Sequence, residues 1–305
     1  MTEPALIRGL WCATLTPLGR DGNVDHARLA SHVQRLLAKG VDGVVPFGTT
    51  GEGPSFSVAE RCEALDALLT ADVSPNRLLA ATGAAAFADT LALTRHALES
   101  GCPRCLILPP FFWKPLTDEA LFRYYASLID AVGDARLRVY LYHIPQLSAA
   151  PIRPEVVVRL STNYPGIIAG VKDSSGDFEH TAQLLERAPE LSILVGHEPH
   201  LVRLMRAGGA GTICGIANLF PELIAALLKP DTTADDESRV RTFLDIVLRY
   251  PFVPAFKAIR AAQTRDSAWL VPRPPLLPLT DDERATLISA LRSAGFDITP
   301  EAERW

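Results

Sequence analysis

The sequence predicts an α/β protein of the (β/α)₈, or TIM-barrel, class with additional C-terminal helices packed on the barrel. Short apolar runs alternate with longer helical patterns, and eight such units fill the chain up to about residue 228. Strands separated by helices pair in parallel, and eight parallel strands close into a barrel. The rest of the chain has helical patterns but no further strand. We therefore expect a barrel that carries the active site over 1–228 and a helical extension over 229–305.

The apolar runs give the eight predicted strands in order. Each run is short, which is the pattern of a buried strand rather than of a helix. The predicted strands are 9–17, 42–48, 77–83, 104–110, 137–145, 166–173, 191–196 and 211–215.

A helical pattern follows each predicted strand. The first, 25–40, repeats its apolar residues at helical spacing, and Gly40 is its expected C-cap. Ser57, with Glu60 three residues later, is a capping-box pattern that opens the second helix. Pro154 stands early in a later helix, where proline fits. The other predicted helices are 89–101, 117–132, 154–163, 177–187, 200–209 and 221–228 in the barrel, then 236–249, 254–265 and 280–294.

Charge and composition exclude two classes of partner. The net charge is −5, the sequence pI is about 5.8, and no basic patch is present, so we expect neither nucleic acid nor an anionic membrane surface. No apolar run reaches the roughly 18 residues of a membrane span. The segment MTEPALIRGLW lacks the basic and apolar regions of a signal peptide. We expect no membrane association.

The five cysteines are odd in number and irregular in spacing, which indicates reduced thiols and a cytoplasmic protein. Cys102 and Cys105 form a CxxC pair, but a metal site of this kind requires a second pair. We interpret them as buried structural thiols and predict no metal site.

The active site of a (β/α)₈ barrel lies at the carboxyl ends of its strands. Reactive or flexible residues follow five of the predicted strands and are expected to converge there, although they are far apart in sequence. They are Gly48-Thr49-Thr50-Gly51-Glu52, Tyr142-His143, Lys172, His197-Glu198 and Cys214-Gly215.

Lys172 ends a strand that is otherwise apolar, although lysine is rarely buried. Partial burial in an apolar barrel mouth favours the neutral amine, whose lone pair can attack a ketone. The resulting Schiff base protonates to an iminium, which stabilises a carbanion or enamine at the neighbouring carbon. This is the chemistry that making or breaking a C–C bond beside a carbonyl requires.

Such a reaction also requires a proton shuttle and, for a 2-keto acid, a group that binds the carboxylate. The phenol of Tyr142, one strand away from Lys172, can donate and accept a proton if a hydroxyl relay orients it. The turn from Gly48 to Gly51 offers backbone N–H groups and two hydroxyls to a carboxylate.

Each of these residues also has a purely structural interpretation. Lys172 and Asp173 could form an exposed ion pair, Tyr142 could be a core tyrosine, and the glycine-rich segment could be only a turn. The glycine-rich segment 208–211 could hold a phosphate or form a tight turn before the last strand. The histidines at the strand ends have no metal-ligand spacing. The combination of residues at one barrel face favours the reactive interpretation of Lys172.

Three motifs carry a resemblance to a known family. GTTGEG at 48–53, YHIP at 142–145 and GVKDSSGD at 170–177, in this order and spacing, resemble the dihydrodipicolinate synthase / N-acetylneuraminate lyase family. Members of that family are class I, Schiff-base, pyruvate-type aldolases on a (β/α)₈ barrel with extra C-terminal helices. The likeness extends over nearly the whole chain, and the three motifs together are highly specific.

The resemblance implies a role for several residues. Lys172 would be the Schiff-base lysine, Tyr142 the proton shuttle and Thr49 the hydroxyl relay to it. Thr50, with Thr49 and the backbone near Gly48, would bind the keto-acid carboxylate. The backbone of Ile213 would lie near the bound keto acid. The resemblance also implies a homotetramer or dimer, and no metal or organic cofactor.

The chain departs from the lysine-biosynthetic branch at two positions. That branch uses a second tyrosine lent by a neighbouring subunit, and this chain has Phe112 in the matching segment. It also uses an arginine after the YxxP motif to bind the second substrate's carboxylate, and this chain has Leu147, which cannot make that contact. The leucine resembles the sialic-acid lyase and 2-keto-3-deoxy sugar acid branches, which bind polyhydroxylated substrates. The candidates for binding such substrates are Glu198, His143, His197 and Trp113.

The sequence therefore predicts a Schiff-base lyase for a 2-keto acid, by aldol cleavage, condensation or dehydration, with pyruvate as product or donor. A 2-keto-3-deoxy sugar acid is the expected substrate class. One alternative is 4-hydroxy-tetrahydrodipicolinate synthase, which joins pyruvate and aspartate semialdehyde. Others are a catalytically silent keto-acid-binding barrel and a phosphosugar-binding barrel.

Overall fold

A computed structural model describes residues 6–300 of the chain. All eight predicted strands are present, and each lies within its predicted run. They are shorter than the apolar runs because several runs continue into the loops that follow. The strands are β1 (Gly9–Ala13), β2 (Gly43–Val45), β3 (Ala80–Ala81), β4 (Arg104–Ile107), β5 (Arg138–His143), β6 (Ile168–Asp173), β7 (Ser192–Val195) and β8 (Gly211–Cys214).

The predicted helices are present as well, and one short helix was not predicted. That helix, α5, begins at Pro145, where the fifth predicted strand was expected to end. The helices are α1 (His26–Ala38), α2 (Val58–Thr70), α3 (Phe87–Glu99), α4 (Asp118–Val132), α5 (Pro145–Ser148), α6 (Pro154–Asn163), α7 (Phe178–Arg187), α8 (Leu201–Arg206), α9 (Pro221–Leu227), α10 (Ala234–Val247), α11 (Phe252–Thr264) and α12 (Asp281–Ser293).

Local sequence explains where several helices begin and end. Ser57 and Glu60 form the predicted capping box at the start of α2. Thr117 caps α4 by accepting a hydrogen bond from a backbone N–H in its first turn. Gly40, just after α1, has a φ of +86°, which glycine adopts without strain.

The eight strands form one sheet in the order β2-β1-β8-β7-β6-β5-β4-β3. The neighbouring strands from β3 to β8 pair in parallel. A parallel bridge between Val44 and Leu78 brings the two ends of the sheet together. The fold is therefore a (β/α)₈ barrel with C-terminal helices, as predicted.

Two compact units can be distinguished in the chain. The first comprises the residues up to Trp11, Asp42–Val45 and Ser74–Cys214, and it contains seven complete strands and helices α3–α8. The second comprises Cys12–Val41, Pro46–Val73 and the chain from Gly215 onward, and it contains α1, α2 and α9–α12. A boundary near residue 228 stays a prediction.

All five cysteines are free, and Cys102 and Cys105 are buried, as expected of structural thiols. Burial raises the pKa of the Cys105 thiol to about 12, so this thiol stays protonated. Within residues 6–300, no helix has the length and apolarity that crossing a membrane requires.

Candidate active site

Lys172 and Tyr142 lie side by side at the carboxyl ends of β6 and β5. The two residues are register partners in the parallel pairing of these strands. Lys172 Nζ lies 4.2 Å from the centroid of the Tyr142 ring. Lys172 is only 4% exposed and Tyr142 only 3%. The structure therefore brings the predicted Schiff-base lysine and proton shuttle together and removes both from bulk water.

The lysine side chain is closely packed against the end of β7. Leu194 is its register partner on that strand. A Cβ atom added to Gly196 would lie 2.9 Å from Lys172 Cε and 2.0 Å from Ser174 Oγ. The backbone at Gly196 thus approaches the lysine stem as closely as glycine allows, which restricts where the amine can lie.

The predicted carboxylate-binding turn lies in the second compact unit. Thr50 is buried and Thr49 is half-buried. The turn closes on itself, because the backbone N–H of Gly53 donates to the Gly48 carbonyl oxygen at 3.1 Å. A Cβ atom added to Gly51 would lie 2.7 Å from the carbonyl oxygen of the nearby residue 14. Gly51 is therefore required by close backbone packing.

A buried ion pair anchors the same turn. Glu52 follows the two threonines with a φ of +59°, and its carboxylate lies 2.5 Å from Lys257 Nζ on α11. Lys257 also donates to the carbonyl oxygen of Val271 at 2.7 Å, and the backbone N–H of Arg273 donates to Glu52. Burial lowers the pKa of Lys257, and the adjacent Glu52 carboxylate opposes this shift. The C-terminal helices thus hold the turn that carries Thr49 and Thr50.

The candidates at the ends of β7 and β8 have different degrees of burial. Glu198 is buried at the start of a short 3₁₀-helix after β7, and His197 is half-buried with its ring 4.6 Å from that of His200. Burial and the neighbouring His200 lower the pKa of His197. Ile213 is buried within β8. Their roles in substrate binding stay predictions.

His143 is buried next to Tyr142, but it is occupied by protein partners. Its Nδ1 accepts a hydrogen bond from the backbone N–H of Ile152 at 3.0 Å. Its ring stacks on that of His180 with centroids 4.0 Å apart. Successive side chains on a strand point to opposite faces, so His143 and Tyr142 point to opposite sides of β5.

Large apolar side chains are exposed in two places, the segment between β4 and α4 and the helix α5. Phe112 is 70% exposed and Trp113 is 73% exposed, with their rings edge to face at 5.3 Å. Leu147 on α5 is 60% exposed. The two departures from the lysine-biosynthetic branch are therefore both surface residues of this chain.

The glycine-rich segment before β8 is a tight turn. The backbone N–H groups of Gly208, Gly209 and Ala210 donate to the carbonyl oxygens of Met205, Leu204 and Ile193 respectively. These N–H groups are therefore not available to a phosphate. The segment also precedes β8, whereas active-site loops of such barrels follow the strands.

Sequence reasoning missed three features around the candidate site: the Glu52–Lys257 ion pair, the close approach of Gly196, and a hydrogen-bonded cluster of Asp173 and His180 behind Lys172. The only local signal was the charge of Glu52 and Asp173 within two of the motifs. Their partners are distant in sequence or on another element, and no spacing rule links them.

Residues 6–294 match the dihydrodipicolinate synthetase family. An uncharacterized DapA-like lyase of Chloroflexus aurantiacus is 36% identical over 98% of this chain and 100% of its own length. The crystal structure of dihydrodipicolinate synthase from Agrobacterium tumefaciens is similar with a TM-score of 0.89 and 32% identity, covering 94% of this chain and 99% of that one.

A third similar protein is YagE, a prophage protein of the dihydrodipicolinic acid synthase family from E. coli K12, solved in complex with pyruvate. It has a TM-score of 0.87 and 25% identity, covering 95% of this chain and 99% of its own. The family match spans nearly the whole chain, and the barrel carries the paired lysine and tyrosine that the motifs predicted. This chain belongs to the dihydrodipicolinate synthetase family and is a class I lyase.

Proposed function

We propose that this lyase forms a Schiff base between Lys172 and a 2-keto acid, with pyruvate as product or donor. The observation that supports the proposal most directly is the register pairing of Lys172 with Tyr142, both buried at the strand ends. The relative from E. coli K12 was solved in complex with pyruvate, which supports the same class of ligand.

The proposed reaction starts with attack of the neutral Lys172 amine on C2 of the keto acid. The carbinolamine loses water to give an iminium, which accepts the electron pair of the C3–C4 bond as the aldehyde leaves. Protonation of the enamine at C3 and hydrolysis release pyruvate and the free lysine. In the dehydration alternative, the same iminium allows a proton to leave C3 and a hydroxyl to leave C4.

The other predicted residues assist this chemistry. Tyr142 moves protons to and from the reacting hydroxyl, and Thr49 relays them to it. Thr50, together with Thr49 and the backbone at Gly48, binds the carboxylate of the keto acid. The Ile213 backbone borders the keto acid. No step of the proposal uses a metal ion or an organic cofactor.

The test is pyruvate with borohydride, followed by peptide mass spectrometry. We expect a reduced pyruvyl adduct on Lys172 in the native protein and none in Lys172→Ala or Lys172→Arg. Circular dichroism and thermal unfolding check that both variants are folded. An adduct on another residue, or turnover retained in both variants, would contradict the proposal.

We infer that the substrate is a polyhydroxylated 2-keto acid, such as a 2-keto-3-deoxy sugar acid, because of two side chains. Phe112 has no hydroxyl to complete a proton relay, and Leu147 cannot bind a carboxylate. Glu198 and Trp113 are the candidates for contacting the hydroxyl groups, whereas His143 is held by Ile152 and His180 on the other side of β5. A panel of aldehydes with pyruvate tests this, and we expect glyceraldehyde to react faster than aspartate semialdehyde.

The second candidate function is 4-hydroxy-tetrahydrodipicolinate synthase. The 32% identity to the enzyme from Agrobacterium tumefaciens favours it. Faster condensation of pyruvate with aspartate semialdehyde than with any sugar aldehyde would favour this candidate over the first. Turnover of any keto acid would exclude a catalytically silent barrel.

We also propose that the protein is a cytoplasmic homo-oligomer, a tetramer or a dimer. The exposed apolar side chains Phe112, Trp113 and Leu147 support a surface that another copy covers. The free cysteines fit a reducing compartment. Multi-angle light scattering of the purified protein tests the oligomeric state, and a monomer at micromolar concentration would contradict it.

A further inference from the structure

The faces of β5 and β6 opposite to Lys172 and Tyr142 carry a second pair of register partners. His143 on β5 lies opposite Asp173 on β6, one residue beyond the reactive pair. Both are buried. Since neighbouring residues on a strand point to opposite faces, this pair lies directly behind the reactive one. Any displacement of Asp173 or His143 is transmitted through one peptide unit to Lys172 or Tyr142.

The carboxylate of Asp173 accepts hydrogen bonds from four donors. The backbone N–H and hydroxyl of Ser175 donate to Oδ1 at 2.9 and 2.7 Å. His180 Nδ1 and the Thr181 hydroxyl lie 2.8 Å from Oδ2. Burial raises the pKa of Asp173, but the hydrogen bond and charge of His180, with Ser175, lower it to about 2. Asp173 is therefore a fully bonded carboxylate that joins β6 to α7.

The hydrogen-bond partners of His180 require both of its ring nitrogens to donate. Nδ1 faces the Asp173 carboxylate and Nε2 lies 2.9 Å from the carbonyl oxygen of Ile152, and both partners only accept. Burial opposes the charged ring, yet the hydrogen bond and charge of Asp173 raise the pKa of His180. The geometry thus fits an imidazolium that joins β6 and α7 to the segment before α6.

The other titratable groups that interact with His180 or Asp173 include Asp177, His143, His197 and His200. Asp177, the N-cap of α7, adds to the attraction for the positive charge. His143 stacks on His180 and is neutral, because burial and then the charge of His180 lower its pKa to about 4. Its Nδ1 accepts the N–H of the same Ile152 whose carbonyl His180 binds. The two histidines thus bind both the backbone N–H and the backbone carbonyl of Ile152.

His143, Asp173 and His180 also lie close enough for one metal ion, since each offers a ligand atom within 4.8 Å of the others. Their hydrogen bonds argue against a metal. An imidazolium has no free lone pair, His143 Nδ1 accepts from a backbone N–H, and the carboxylate already has four donors.

We propose that His180 is a positioning residue for the Schiff-base reaction, and that it holds Asp173 and hence Lys172 in place only while its ring is protonated. A neutral His180 has one N–H, so one of its ring nitrogens must turn a lone pair toward the Asp173 carboxylate or the Ile152 carbonyl. Two acceptors that face each other with no proton between them are costly, so the strand end shifts to separate them. The inference rests on the proposed Schiff base at Lys172.

The test compares the rates at which borohydride traps pyruvate on Lys172 in the native protein and in His180→Gln, from pH 6 to pH 9. Glutamine keeps one donor but carries no charge at any pH. We expect trapping in the variant to be about tenfold to a hundredfold slower at pH 6, since small displacements near a reacting group have effects of this size. The ratio of the two rates should approach one at high pH, as the native ring loses its proton.

Two further variants make the result specific. His180→Lys retains a positive donor, and we expect it to trap faster than His180→Gln, with no convergence toward the glutamine variant up to pH 9. His96→Gln changes a half-buried histidine on α3 and should follow the native profile. Thermal unfolding in the same buffers shows which variants are folded. If the glutamine variant does not fold, the pH profile of the lysine variant is compared with the native profile instead.

The outcomes separate this inference from the proposed function. A native protein that forms no adduct on Lys172 overturns the proposed function and the inference that rests on it. A native protein that forms the adduct, with a ratio between native and variant rates that stays constant across the pH at which the His180 ring loses its proton, overturns the inference alone. A ratio that changes with pH, with partial rescue by His180→Lys, supports both.

Discussion

Two regions of the molecule carry the candidate reactive groups, and each is supported by an ion pair with a buried carboxylate. In the first compact unit, the strand end with Lys172 is supported by Asp173 and His180. In the second, the turn with Thr50 is supported by Glu52 and Lys257. In both regions a charged residue one or two positions along the chain from the reactive group is held by a cation from a helix.

The cations differ in how they respond to pH. Burial lowers the pKa of Lys257 from the high value of a lysine, whereas Asp173 raises the pKa of His180 from a value near 6.5. The pKa values of the two cations are thus shifted in opposite directions, that of the lysine down and that of the histidine up. Under the proposal above, the position of Lys172 depends on the proton of His180, whereas the Glu52–Lys257 pair holds the turn with Thr50.

Tyr142→Phe tests whether the reactive pair acts chemically, and we expect the largest effect from it. Loss of a proton shuttle should lower kcat by about 10²- to 10⁴-fold. Tyr140→Phe is the matched control, because its hydroxyl is also buried on β5 but only accepts the N–H of Ile7. The control should lower the melting temperature and leave kcat near the native value. Equal kcat values for the two variants would remove Tyr142 from the mechanism.

Lys257→Met tests the ion pair between Glu52 and Lys257. It leaves the buried Glu52 carboxylate without its counter-charge, so the free energy of unfolding should fall by about 3–5 kcal/mol. Adding Glu52→Gln removes the uncompensated charge and should restore much of that loss. Urea denaturation of both variants measures the difference. Stability that is no better in the double variant would show that the loss comes from packing instead.

The pH dependence of stability tests the pKa shifts of His143 and Asp173 in the acid range. The pKa of His143 is lowered from 6.5 to about 4, so the unfolded chain binds a proton more readily between these values. The free energy of unfolding should therefore fall by about 3 kcal/mol as the pH drops from 6.5 to 4. Below that, protonation of Asp173, whose pKa is lowered from 3.8 to about 2, removes a further contribution.

The pKa of His180 is raised, so its contribution has the opposite sign. It is fully present below the pH at which an unfolded histidine titrates, and it is lost as the pH rises through the folded pKa. Urea denaturation from pH 4 to pH 9 measures how the free energy of unfolding changes on both the acid and the alkaline side. His143→Asn should flatten the acid limb only, and an unchanged acid limb in that variant would contradict the assignment.

Gly196→Ala has the smallest expected effect. The new methyl group would press on the Lys172 stem and on Ser174 Oγ, and we expect trapping of pyruvate to slow about tenfold. Adding Ser174→Ala removes the closer of the two contacts and should restore part of the rate. A native rate in the single variant would show that the lysine tolerates displacement.

The sequence by itself determined the barrel and predicted its candidate reactive residues. Alternating apolar runs and helical patterns have periods that local chain geometry imposes, so the strands were predicted within a few residues. Lys172 was recognisable because a charged residue at the end of an apolar strand conflicts with the burial expected there. The helix α5 was not predicted, since four residues are too few to show a helical period.

Only the tertiary structure decided what supports the site. The pairing of Glu52 with Lys257 and of Asp173 with His180 joins residues on different elements, and no period or spacing in the sequence encodes such contacts. The approach of Gly196 to Lys172 depends on how β7 lies beside β6. Hydrogen bonding and burial set the charge of a histidine, and both arise only when the chain has folded.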